Sequence, residues 1–123
     1  MSHNTSLRNY LAPAAIAAYR LAKFGANPGE VAQAAAATDA LMGVTTLVAP
    51  DIGERVDLVK SGLADVTYGG NVAAGDPLTS DANGKAIKAT VAGSRLIGFA
   101  EVAGVAGDVG LVDIHLGTLA LGA

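Results

Sequence analysis

The chain repeats itself, and that limits its folds more than any other feature. Residues 41–44, LMGV, recur as residues 96–99, LIGF, so that Gly43 and Gly98 stand 55 positions apart. Sliding the chain on itself by that distance, without a gap, also sets Gly29 on Gly84, Ala34 on Ala89, Val56 on Leu111, Val59 on Ile114 and Gly62 on Gly117. Self-similarity at a fixed period means that one supersecondary unit is built twice. The spacing predicts an N-terminal arm over residues 1–12 and one domain over residues 13–123, with similar units at about 19–73 and 74–123.

The unit reads as β structure. Residues 41–48 are apolar and rich in Val and Thr, which suit a pleated surface. Residues 55–68 alternate over a long stretch, Val56, Leu58 and Lys60 against Asp57, Val59 and Ser61, with a break at Gly62. Glycine-rich turns punctuate the chain at 25–29, 69–70 and 104–110. Asn83-Gly84 predicts a two-residue hairpin turn of the primed type. Pro77 is expected at the start of a strand, where no ladder N–H is needed. Residues 13–24 fit a helix opened by Pro13 or a strand over 17–24, and the alternation favours the strand. Residues 30–37, EVAQAAAA, read alone as helix, yet their repeat partners, 85–91, read as strand. The repeat therefore predicts a strand at 30–34 and a loop or single turn at 35–39. Many short strands joined by glycine turns give an all-β fold, a small β-barrel or sandwich.

Composition says how such a unit is stabilised. The chain has 123 residues, 51% of them hydrophobic but only 4% aromatic, with no Trp. Ala and Gly carry much of the apolar count, and small side chains bury little area each. Charged residues are 15%, a sparse charged surface for a monomer. Both point to an oligomer or a subunit of an assembly. Residues 1–29 carry Arg8, Arg20 and Lys23 and no acid, whereas the rest holds 5 basic and 11 acidic residues. A basic arm on an acidic body suits an acidic partner surface, and is too sparse for direct nucleic-acid binding. The arm is either a free tail or a segment that orders on a partner through Leu7, Tyr10 and Leu11. No basic region followed by an apolar run predicts a signal peptide, and no uncharged stretch approaches the roughly 20 residues of a membrane span. No membrane partner is expected, and the protein is expected in the cytosol until lysis.

Chemistry is thin. There is no Cys. Asp113 and His115 share a strand face and could form an acid–base pair, but a polar outer face is the better reading. His3 and His115 lack metal-ligand spacing. Asp76, Ser80, Asp81 and Asn83 offer oxygen ligands with no closing glutamate, and read as turn formers. The sequence predicts no catalytic residue, no cofactor and no metal site.

Five segments together resemble a known family: YRLAKFG (19–25), AATDALMGV (36–44), GERVDLV (53–59), YGG (68–70) and GDPLTSDANG (75–84). They are similar to the small capsid cement, or head decoration, proteins of tailed bacteriophages, with GDPL followed by LIGFA as the most family-like part. The resemblance covers about residues 15–117. It implies a β-tulip-like or small-barrel fold and a structural virion protein on the capsid exterior, assembled in the host cytoplasm. It implies binding to the major capsid protein, stabilisation of the expanded head by bridging neighbouring capsomers, and a homotrimer. The terminal arm, through Leu7, Arg8, Tyr10 and Leu11, is then the expected capsid or subunit contact. A phage fibre or adhesin-like domain and a β-clip carbohydrate-binding module are the other readings.

Overall fold

Nine strands, and no helix among the described residues, form the chain. The computed structural model describes the backbone of residues 6–120 and the side chains of residues 9–120. In order the strands are β1 (Ser6–Ala12), β2 (Leu21–Phe24), β3 (Val31–Gln33), β4 (Leu41–Thr45), β5 (Glu54–Thr67), β6 (Pro77–Ser80), β7 (Ala86–Lys88), β8 (Arg95–Ala100) and β9 (Val109–Thr118). They pair antiparallel in one open sheet of order β3-β2-β4-β5-β9-β8-β6-β7, with β1 on β5 beside that path. The fold is thus a small all-β domain made of two similar units.

The units correspond pair by pair. β3 and β7 begin 55 residues apart, as do β5 and β9, and β2 and β6 begin 56 apart. Ala22↔Gly43 in the first unit matches Leu78↔Gly98 in the second, and Ala22↔Gln33 matches Leu78↔Lys88. The same shift of 55 carries Leu7↔Val59 onto Gly62↔Ile114, and Tyr10↔Val56 onto Asp65↔Leu111. β1 is therefore the first strand of the first unit, and its counterpart is the second half of β5. This corrects the arm and the unit boundaries. Residues 6–12 lie in the sheet, and the units divide near Gly62, inside β5. The sequence hid this because Arg8, Asn9, Tyr10 and Ala12 fall on Leu63, Ala64, Asp65 and Thr67, chemically unlike partners.

Other segments also differ from their expectations. Residues 13–20 are neither helix nor strand. Tyr19 has φ +58 there, and the amides of Ile16 and Tyr19 donate to the carbonyls of Pro50 and Thr46. The stretch 30–37, by contrast, runs as the repeat predicts: a short strand, β3, pairs with β2 over Val31–Gln33, and the alanines 34–37 lie in the loop after it despite their helix propensity. The hairpin β6–β7 turns through residues 81–85, not two residues. Only Gly84 takes positive φ, and the Asp81 carboxylate closes the loop by accepting from the amides of Asn83 (2.8 Å) and Lys85 (2.9 Å).

Gly62 also explains how one strand serves two units. Side chains alternate faces along a strand, so Val59 and Ala64 should face opposite ways. Yet Val59, Ala64 and Val66 all line the same core, with Leu21, Leu78, Ile97, Val112 and Ile114. Gly62, at φ +88, sits where the parity switches. A second cluster belongs to the first unit alone: Ala12, Ile16, Ala22, Val31, Met42, Val56 and Leu58, with Tyr10 packed on it.

Asp39 closes the turn before β4. Its carboxylate accepts from the amides of Ala35 (2.8 Å) and Ala36 (3.1 Å) and lies 3.4 Å from the Lys23 ammonium. Desolvation pushes its pKa up, but the Ala35 amide, the Lys23 charge and the Ala36 amide together outweigh it and hold the group below its ordinary value.

Two outcomes are expected. A carboxylate depressed in the folded state adds stability that is present above its unfolded value, about 3.9, and disappears as pH falls through the folded value. Asp39→Asn should therefore cost about 1–2 kcal/mol at neutral pH, with the gap closing in acid, as read by urea melts across pH. A gap that ignores pH would contradict this. Deleting residues 2–11 should lower the melting temperature by roughly 10 °C or more, because it strips most of β1 and Tyr10 from the first core. A truncated protein that melts with the full chain would show that β1 is only an appendage.

Candidate functional site

Two loops carry apolar side chains outward while their backbones are tied down. Residues 46–53 join β4 to β5. Asp51 accepts from the amide of Ile52 (2.8 Å) and donates its own amide to Glu54 Oε1 (2.6 Å). The amide of Gly53, at φ +78, reaches the carbonyl of Ala12 (2.8 Å), and Pro50 accepts from Ile16. With its backbone so occupied, the loop leaves Leu47, Val48 and Ile52 72–74% exposed.

Residues 101–108 join β8 to β9 in the second unit and are held the same way. The Asp108 carboxylate accepts from the amide of Val105 (3.0 Å). Val72 and Gly104 exchange amide–carbonyl bonds of 2.9 Å, and Gly107 donates to Tyr68. Tyr68 lies fully buried beneath this loop and donates its hydroxyl to the carbonyl of Val102 (2.7 Å). Its ring fills space that a side chain at Gly104 or Gly110 would occupy. Burial pushes the Tyr68 hydroxyl pKa up. Val102, Val105 and Val109 are exposed above it.

The loops sit at opposite ends of β5. One feeds into Glu54, its first residue, and the other into Val109, which pairs with Thr67, its last. Fourteen residues of strand span roughly 46 Å. Grouped apolar side chains held out by a rigid scaffold mark a surface that meets another molecule.

The sequence-chosen residues fall elsewhere. Leu7 and Arg8 pair through their backbones with Val59 and Leu58, and their side chains lie outside those described. Tyr10 is half-buried on the chain's own core, with its hydroxyl 3.0 Å from Lys60 Nζ. Leu11 is half-buried, and its amide donates to Gly29. His3 lies outside the described residues. His115 is exposed and tilts against Phe99, ring centroids 6.4 Å apart, and no hydrogen bond joins it to Asp113 among the described residues. Asp76 and Asp81 accept from backbone amides in their own turns.

The expected strand over 41–48 takes in Leu47 and Val48, which the structure puts in the loop after β4, so the loop tips are not legible from that reading. The signal was present in TLVAPDIG (46–53), where apolar residues flank a Pro-Asp turn that ordinarily carries polar ones.

The family of phage cement proteins matches residues 1–116. In fold the chain is similar to the crystal structure of the N base of head fiber gp8.5 in bacteriophage phi29. The TM-score is 0.72 at 21% identity, over 95% of this chain and 99% of that one. No curated protein matches.

Proposed function

The chain belongs to the phage cement protein family, and on that premise we propose that it binds the outside of the capsid and bridges neighbouring capsomers, stabilising the expanded head. That it is a phage structural protein and a virion component follows from the family itself. The observation that carries the bridging reading is the pair of apolar loops, 46–53 and 101–108, at the two ends of β5. A protein that holds two capsid subunits together needs two separated contacts on a stiff connector. Antiparallel sheet paired along the length of β5 supplies the stiffness.

The partner in this reading is the major capsid protein. The protein acts as a homotrimer on the shell, a reading supported by further exposed apolar residues, Phe24, Leu63, Val91, Phe99 and Leu116, and by the low charge content. The N-terminal strand, through Leu7, Arg8 and Leu11, belongs to the same proposed contact, whereas the Tyr10 ring is engaged within its own chain. The role is mechanical and involves no catalysis. Likeness to the base of a head fiber supports a seat on the head.

Binding to purified, undecorated heads tests the proposal. Leu47→Asp with Ile52→Asp disables one loop, and Val102→Asp with Val105→Asp disables the other. Each pair should weaken binding by at least about tenfold and remove protection of the heads against heat, while far-ultraviolet dichroism stays unchanged. If either loop alone preserves full protection, the protein decorates the shell without bridging it.

A further inference from the structure

Residue 19 is a place where the two units differ although the fold does not require it. Tyr19 has φ +58, the one non-glycine residue with positive φ among those described. Its counterpart in the second unit is Gly75, at φ +89. The match is fixed by the next residue. Arg20 accepts from the amide of Thr45 (2.9 Å) just as Asp76 accepts from the amide of Ala100 (3.0 Å). A side chain in left-handed backbone crowds the following carbonyl, and glycine avoids this. The second unit shows that glycine makes the same bend and passes into the same strand. A tyrosine kept there under strain points to a use for its ring.

Tyr19 lines a shallow groove of ≈ 180 Å³ with Thr45, Thr46, Leu47, Val59, Ala64 and Asp65. The volume is well below the roughly 300–1,000 Å³ of small-molecule sites, and suits one side chain of a protein partner. Leu47, Val59 and Ala64 give it an apolar wall. Asp65 is exposed and takes part in no ion pair or side-chain hydrogen bond among the described residues. Aromatic face, aliphatic wall and free carboxylate are the three features that a long cationic side chain uses, for its charge and for its stem.

We propose that this groove receives one lysine or arginine side chain of the capsid protein, with the stem along Leu47 and Ala64 and the cation between the Tyr19 ring and Asp65. The occupant's identity rests on the cement reading above. Leu47 belongs both to the groove and to the loop 46–53, so the cation would sit at the edge of that contact.

The test measures binding to purified heads and melting temperature for the full chain and three variants. Tyr19→Asn accepts left-handed backbone and removes the ring. It should lose at least about tenfold in binding with an unchanged or raised melting temperature. Asp65→Asn should weaken binding and flatten its dependence on salt. Tyr19→Phe keeps the ring and should restore most of the binding that Tyr19→Asn loses. If the full chain binds and Tyr19→Asn and Asp65→Asn bind as tightly, the groove is empty and this inference falls alone. A Tyr19→Asn protein whose melting temperature drops along with its binding makes the ring structural and overturns it too. A variant that changes only the oligomeric state assigns the groove to a second copy of the chain, also against the proposal. Failure of the full chain to bind heads overturns the cement reading and this inference together.

Discussion

Strand β5 belongs to both halves of the molecule, and the rest of the fold follows from that. Its first half closes the unit begun by β1, and its second half opens the unit closed by β9. Two units built on one continuous strand cannot move independently, because its backbone is hydrogen-bonded into both. The arrangement also forces a change of facing. The core that the units share lies on one side of β5 before Gly62 and on the other side after it. A residue that tolerates φ near +88 is needed at the switch.

Close approach of backbones explains why so small-chained a protein can do this. A Cβ at Gly43 would collide with the carbonyl of Val59, and one at Gly98 with the carbonyl of Asp113. These glycines stand at register shifts where β4 and β8 press against their neighbours, the geometry of a bulge. Tight backbone packing offsets the small area buried by each Ala and Gly side chain. Tyr68 is the exception. It is a large ring placed where Gly104 and Gly110 leave room, and it props up a loop that the first unit holds through Ile16 and Gly53 instead.

The same economy bears on function. Turn carboxylates, Asp39, Asp51, Asp76, Asp81 and Asp108, are spent on the amides of their own loops. What remains facing outward at the loop tips is apolar. A surface of this kind has apolar area to bury, consistent with a phage structural family. In the proposed groove, Tyr19 and Asp65 would add a polar, directional element beside one tip.

By itself the sequence determined the all-β class, the period of the repeat and the long alternating strand broken at Gly62. These are local or periodic properties, and turn chemistry and alternation express them directly. The family resemblance was legible for the same reason, since its segments are turn and strand signatures. Only the tertiary structure decided where the units divide. β1 and the second half of β5 are equivalent through backbone pairing, which leaves no mark on residue type. It also decided that residues 13–20 run irregularly and that Leu47, Val48 and Ile52 point outward. Whether an apolar side chain is buried depends on what the rest of the chain places above it, and no window of sequence contains that neighbour.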